Sequence, residues 1–361
     1  MTKQEIVEST LAFLDQSSSS EAEFNGQALS LFRYQYENNL PYQTYCRAKG
    51  KTPRLVKSWT EIPAVPIDAF KEVPLSCTNI ETALATFMTS GTTRGERGKH
   101  YHSTLEVYDQ SMQTVFKKRF MGSDQKIPMG ILFPKTDLMP NSSLAHYLAL
   151  AAQTFSGDDF TYFVDDCGLQ TNQLIQELEK RESEGNPYAL LGASFSFVHL
   201  FEVLAKQGRR FSLPEGSKLL DTGGFKKQSE ELDLTSFYQK MTYYLGVKTE
   251  NCINMFGMTE LSTQFYDEGN AIIPSEKSGP HWIRTRVVDP ITGVDQPDGE
   301  PGVLIQYDLA NVNSVAAILT EDMGVKKENG FLFLGRVEGA EAKGCSLALE
   351  AFVQVTQGAF K

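Results

Sequence analysis

The sequence predicts an α/β fold in which a βαβ region with a mostly parallel sheet is followed by a β-rich lobe. Between residues 84 and 256, apolar runs of strand length alternate with longer segments of helical spacing. Beyond residue 280 the rhythm changes, and strand-length runs follow one another with turn residues between them.

The elements follow in order. Thr2 with Glu5, and Ser20 with Glu23, have the spacing of capping boxes, in which hydroxyl and carboxylate satisfy each other's backbone N–H groups at a helix start. Phe24, Ala28, Leu31 and Phe32 then recur at helical spacing, and Ser17 to Ser20 form the joint. The prolines of Ile62-Pro63-Ala64-Val65-Pro66 and Val73-Pro74 block helix and predict an extended segment leading into the first core strand. Strands are expected at 84–89, 130–133, 161–164, 189–195, 218–220 and 252–256, with helices around 104–119, 142–154, 170–182, 197–206 and 228–244. The closing strands fall at 282–288, 303–307, 315–319 and 331–334, with Asp298-Gly299-Glu300-Pro301-Gly302 as a turn.

At 361 residues, 41% hydrophobic and 22% charged, the chain has the balance of a folded protein. A net charge of -11 argues against nucleic acid as a partner, because phosphates need a basic footprint. The N-terminus has no signal pattern and no apolar run is long enough to span a membrane, so a cytoplasmic location is expected. Five scattered cysteines, without a C-x-x-C pair, read as reduced thiols.

Two motifs carry chemistry. Thr89-Ser90-Gly91-Thr92-Thr93-Arg94-Gly95-Glu96-Arg97-Gly98-Lys99 is dense in hydroxyls, glycines and cations, the groups that wrap a phosphate, yet it lacks the Walker A pattern. By itself such a run is a solvated turn. The second motif, Asn254-Met255-Phe256-Gly257-Met258-Thr259-Glu260, places a hydroxyl beside a carboxylate after a buried strand, the pair needed to hold a phosphate oxygen and a magnesium ion.

Together these motifs resemble the signature of the adenylate-forming superfamily of acyl-CoA synthetases, adenylation domains and firefly luciferase. Phe256 stands for the usual tyrosine and Arg94 precedes Gly95, both departures from the pattern. Asp221-Thr222-Gly223-Gly224, Leu319-Thr320-Glu321-Asp322 and Gly335-Arg336 match further motifs in the same order. The resemblance implies ATP and Mg2+ as cofactors. It implies that Thr89, Ser90, Gly91, Thr92 and Thr93 surround phosphates, and that Gly223, Gly224, Asn254, Met255, Phe256 and Gly257 border the adenine. It further implies Thr259 at the α-phosphate, Glu260 as the metal ligand, Asp322 at the ribose hydroxyls and Arg336 near ribose or phosphate. Arg94, Arg97 and Lys99 are the candidate loop cations, and His146 lies where the superfamily often has a histidine guarding the carboxylate pocket.

Larger superfamily members carry a mobile C-terminal domain of roughly a hundred residues, an ordinary small-domain size, which supplies a catalytic lysine. Here residues 1–334 are expected to form the adenylating domain and 335–361 a short segment, with the usual C-terminal domain missing or vestigial. That ending, with Lys343-Gly344-Cys345-Ser346-Leu347 and the early Phe70-Lys71 segment, resembles the acyl-protein synthetase family of bacterial bioluminescence, the LuxE type. The resemblance implies that a fatty acid is adenylated, transferred to Cys345 and handed to a partner acyl reductase. Lys343 is expected to lower the thiol pKa. The plain alternative is a buried, inert Cys345 followed by a final strand at 346–349.

Three rival functions remain open at this level. One is an acyl- or aryl-CoA ligase of the phenylacetate-CoA ligase type, and another a non-catalytic nucleotide-binding relative. The third is a serine hydrolase built on Gly192-Ala193-Ser194-Phe195-Ser196 and His199, although the nucleophile-elbow pattern is incomplete. Phe195, Phe197 and Phe225 are candidates for lining an acyl pocket.

Overall fold

The computed structural model describes residues 1–89, 96–223, 233–337 and 340–356, with the side chains of residues 340, 341 and 343 left out. The chain divides into two compact units. One comprises Met1–Met112, Met258–Thr263 and Lys277–Lys361, and the other Gln113–Gly257 with Gln264–Glu276.

The second unit holds the βαβ region. Its parallel strands run in the spatial order Cys252–Phe256, Lys218–Thr222, Ala189–Ala193, Met129–Pro134 and Phe160–Asp165. Phe265–Tyr266 pairs antiparallel with Cys252–Phe256, and Gly168–Leu169 pairs antiparallel with Phe160–Asp165. Ala189–Ala193 is buried at every position, as a parallel strand covered on both faces must be. Helices Ser143–Phe155, Thr171–Glu184, Ser194–Gln207 and Leu234–Leu245 alternate with these strands as the sequence predicts. Phe197, Phe201 and Phe237 sit at 0, 2 and 0% exposure in the core formed with Leu190, Leu219 and Cys252. Each such ring contributes about 2 kcal/mol by leaving water.

The first unit begins with helices Lys3–Leu14 and Glu21–Asn38, and both expected capping boxes are formed. Its antiparallel sheet runs Ile283–Val288, Pro301–Asp308, Ala317–Lys326 and Gly330–Arg336, with Val65–Pro66 added in parallel beside Ile318 and Leu319.

Four sequence expectations need correction. The proline-rich segment is not extended throughout, because Trp59–Glu61 and Ala69–Glu72 form short helical turns in the stretches that its prolines leave free. The strand at 84–89 does not join the parallel sheet, because Ala85–Met88 forms an antiparallel ribbon with Lys99–His102. Local alternation predicts a strand but not its partner, and a loop of this length returns the chain antiparallel. The strand at 189–195 stops at Ala193, where Ser194 opens a helix. The segment 346–349 is not a strand but part of helix Ala340–Thr356. Cys345, Phe352 and Thr356 form its buried stripe, and Phe352 packs on Tyr45 with ring centroids 4.9 Å apart. Among the described residues, no helix is long and apolar enough to cross a membrane.

Candidate active site

The phosphate-loop motif is borne on the ribbon of the first unit. Thr89 closes the base of the loop twice: its N–H donates to the Gly98 carbonyl at 3.0 Å, and its hydroxyl accepts from Gly98 N–H at 3.0 Å. Ser90, Gly91, Thr92, Thr93 and Arg94 lie outside the described residues. Lys99 pairs with Met88 through its backbone and is exposed.

Side chains alternate across a strand, so Gly98, His100 and His102 share the inner face of the ribbon and Lys99 and Tyr101 the other. That inner face meets the Thr-Glu turn. A Cβ at Gly98 would stand 3.2 Å from Glu260 Oε1 and 3.2 Å from Thr89 Cγ2, so glycine allows the carboxyl to approach the strand closely. The ring of His100 lies 3.0 Å from the Thr259 carbonyl through Nδ1.

Glu260 is 3% exposed. Burial pushes its carboxyl up to about 7, opposed by its own backbone N–H and by the nearby Arg336 and Lys71, while Asp68 adds to the rise. The turn is fixed from behind. Asn311 donates through Nδ2 to the Glu260 carbonyl at 2.9 Å. Asp308 accepts from Ser262 N–H and Thr263 N–H, each at 2.8 Å, and from the Thr263 hydroxyl at 2.7 Å.

Asp322 and Arg336 face each other across neighbouring strands, in the register Asp322↔Arg336. Arg336 reaches Glu321 Oε2 at 3.1 Å and Asp322 Oδ1 at 3.5 Å. Burial pushes Asp322 up to about 6, with Arg336 drawing it down and Glu321 raising it.

Cys345 is 7% exposed, and its Sγ points to the Thr320 carbonyl at 3.8 Å. The sequence suggests a thiol made acidic by Lys343. Instead burial pushes it up to about 11, and Glu321 and Asp68 add to the rise.

In the second unit, the register Thr222↔Met255 and Asp221↔Asn254 brings Gly223 and the 254–257 segment side by side at the C-terminal edge of two parallel strands. Ligands of open α/β sheets bind at that edge. Gly223 has φ 84°. Asp221 accepts from Asn254 Nδ2 at 2.9 Å, from the Ser194 hydroxyl at 2.8 Å and from the Tyr238 hydroxyl at 3.0 Å. Asn254, Met255, Phe256 and Gly257 are therefore presented from one buttressed strand end, whereas Gly224 and Phe225 lie outside the described residues. His146 is half-buried on helix Ser143–Phe155, whose N-cap is Ser142.

The hydrolase reading has no support. The Ser194 hydroxyl donates to Asp221, and His199 is 55% exposed beside Glu202. Phe197 belongs to the core and Phe195 is 44% exposed, so these two do not line one pocket. Sequence reasoning passed over His100, Asp308 and Asn311, which place the Thr-Glu turn. For His100 a signal existed, since it follows Gly98 by two residues on a strand.

The family model described as acyl-protein synthetase, LuxE, matches residues 5–353. The chain belongs to this family. A long-chain-fatty-acid–luciferin-component ligase of Vibrio harveyi is 24% identical over 340 residues, covering 91% of this chain and 87% of the relative. The ligase of the same description from Aliivibrio fischeri is 24% identical over 336 residues, covering 90% and 86%. Among solved structures, 2-hydroxyisobutyryl-CoA ligase in its postadenylation state with 2-HIB-AMP is similar at a TM-score of 0.66 and 15% identity, over 92% of this chain and 74% of that one. ATP-bound MatB from Rhodopseudomonas palustris matches at 0.51 and 15%, over 72% of this chain and 49% of that one. The fold is that of the adenylate-forming ligases, and the family is one of acyl-activating ligases.

Proposed function

We propose that the chain adenylates a long-chain fatty acid with ATP, takes the acyl group on Cys345 and passes it to a partner acyl reductase in the cytoplasm. The observation that carries the first step is Glu260, a buried carboxyl held up at about 7 beside the loop base at Gly98. A buried acid of this kind is stabilised as its anion when a cation arrives.

In the proposed reaction a carboxylate oxygen of the acid attacks the α-phosphorus, the bond to pyrophosphate breaks, and acyl-AMP and pyrophosphate form. Two anions meet, so the work of the site is to spread charge. Thr89 with Ser90, Gly91, Thr92 and Thr93 surrounds the phosphates with N–H and hydroxyl donors, with Lys99 as a nearby cation. Thr259 donates to the α-phosphate, and His146 borders the carboxylate pocket. Gly223, Gly224 and Asn254 to Gly257 flank the adenine, while Asp322 takes the ribose hydroxyls with Arg336 beside it.

Magnesium fits Glu260, because this hard cation takes one or two carboxylates and completes its shell with phosphate and water. When bound it would neutralise charge on the triphosphate. In the second step the Cys345 sulfur, as thiolate, attacks the acyl carbonyl, AMP leaves with the electrons of the C–O bond, and the thiol proton passes to solvent. Residues 1–334 are the proposed adenylating part and 335–361 the acceptor segment.

One observation favours a second reading, transfer to CoA: the Cys345 thiol is buried and pushed up to about 11. ATP–pyrophosphate exchange with a series of fatty acids, with and without CoA, tests both. Exchange with a long-chain acid supports adenylation, and its absence with every acid sinks it. Thioester that forms only when CoA is added replaces Cys345 as the acceptor.

A further inference from the structure

We infer that His100 is a positioning residue for adenylation, a strut that fixes the Thr259–Glu260 turn against the phosphate-loop ribbon. The inference rests on the adenylation reading above and assigns a new part within it.

His100 is 0% exposed, yet both ring nitrogens are engaged. Nδ1 lies 3.0 Å from the Thr259 carbonyl, and Nε2 lies 3.0 Å from the Ser314 hydroxyl. A carbonyl only accepts, so Nδ1 must carry the proton, and the hydroxyl then donates to Nε2. These partners specify one neutral tautomer. Burial, which lowers the ring pKa to about 4, keeps it neutral.

The placement makes this more than a satisfied core histidine. Ser314 belongs to a buried segment that is itself tied down, with its carbonyl accepting from Asn39 Nδ2 at 3.2 Å and from Cys77 Sγ at 3.3 Å. His100 therefore links a fixed anchor to the backbone of Thr259. Phe70 holds the ring edge-on, with centroids 5.8 Å apart, and His102 lies against it at 4.1 Å. Gly98, two residues earlier on the same face, admits the Glu260 carboxyl. The strand that leaves the phosphate loop thus addresses Thr259 through His100 and Glu260 through Gly98. A carbonyl fixed at Thr259 sets where its hydroxyl and the next carboxyl point. Misplacement of a reacting group by about 1 Å costs on the order of 100-fold in rate.

Three variants separate positioning from packing. His100→Asn keeps an amide donor near the Nδ1 position, His100→Leu keeps bulk without a donor, and Ser314→Ala removes only the far partner. Exchange is measured with saturating acid, resolving kcat from KM for ATP, and folding is checked by thermal melts. Positioning predicts that His100→Leu loses about 100-fold in kcat/KM, whereas His100→Asn and Ser314→Ala stay within about tenfold of the wild type. Equal losses in Asn and Leu that follow their melting temperatures would overturn the inference in favour of plain packing.

If His100→Leu does not fold, histidine 15N shifts of the wild type decide. A protonated Nδ1 with a bare Nε2 at pH 7 supports the strut, and the opposite tautomer or an imidazolium ends it. Wild-type exchange comes first. Its absence overturns the adenylation reading and the inference with it, whereas full exchange in folded His100→Leu overturns the inference alone.

Discussion

Buried carboxylates are held in two ways in this molecule, and the acids at the strand ends of the parallel-sheet unit contrast with Glu260 and Asp322 of the other unit. In the parallel-sheet unit, Asp221 accepts from Ser194, Tyr238 and Asn254, and Asp267 accepts from Asn254 N–H at 3.0 Å, Asn270 Nδ2 at 3.1 Å and the Ser275 hydroxyl at 2.8 Å. These acids accept from several neutral donors and act as struts between strand ends. In the other unit, Glu260 and Asp322 are buried to 3% and 5% exposure and pushed up to about 7 and about 6. Asp308, in that same unit, belongs with the struts, since four donors hold it although burial pushes it up to about 6. Saturation by donors, not the rise, therefore marks an acid that organises backbone, while Glu260 and Asp322 gain from a cation or hydroxyls brought by a ligand.

The comparison breaks first at Glu260. Glu260→Gln keeps shape and removes the anion, and pyrophosphate exchange should fall by about 100-fold or more, the scale for losing one transition-state contact. A tenfold loss or less would place Glu260 with the struts.

Proton linkage gives the next effect. The folded Glu260 carboxyl holds its proton to about 7, whereas the unfolded chain releases it near 4.5. The contribution is therefore fully present below about 4.5 and is lost as pH rises through about 7, by up to about 3 kcal/mol. Urea melts of the nucleotide-free protein at pH 4.5 and 7.5 measure the slope, and Glu260→Gln should reduce it, with Asp308 and Asp322, each pushed up to about 6, supplying the remainder. A slope of the same size in the variant would assign it to other groups.

On the strut side, Tyr238→Phe removes one donor from Asp221 and leaves the ring in place. Denaturant melts should show about 1–2 kcal/mol lost, with exchange per folded molecule unchanged.

The smallest effect concerns the C-terminal helix. A Cβ at Gly344 would meet the Pro290 carbonyl oxygen at 2.7 Å, so Gly344→Ala should push the helix away from that turn. Alkylation of Cys345, followed on its own peptide by mass spectrometry, should quicken by about threefold as the thiol gains solvent. An unchanged rate would show that the helix stays docked.

Much of this was legible in the sequence because it is local. Capping boxes at Thr2 and Ser20 need only hydroxyl, carboxylate and spacing, and the buried run at 189–193 declares a parallel strand by its composition. What escaped was partnership at a distance. Residues 85–88 look like any strand, and only the return of the chain at 99–102 puts them in a ribbon. Cys345 sits in a segment where Gly344 and Ser346 hide the helical stripe that Phe352 and Thr356 complete. The motif residues were visible as chemical types. The groups that aim them, His100, Asp308 and Asn311, come from strands and loops far away along the chain.

The central claim, adenylation followed by capture on the protein's own thiol, is tested most directly by giving wild type and Cys345→Ser a labelled long-chain fatty acid with ATP and magnesium. Covalent label and pyrophosphate exchange are then read on the same samples. The account predicts label on the wild type, none on Cys345→Ser, and exchange in both. Equal label on the two proteins would contradict it.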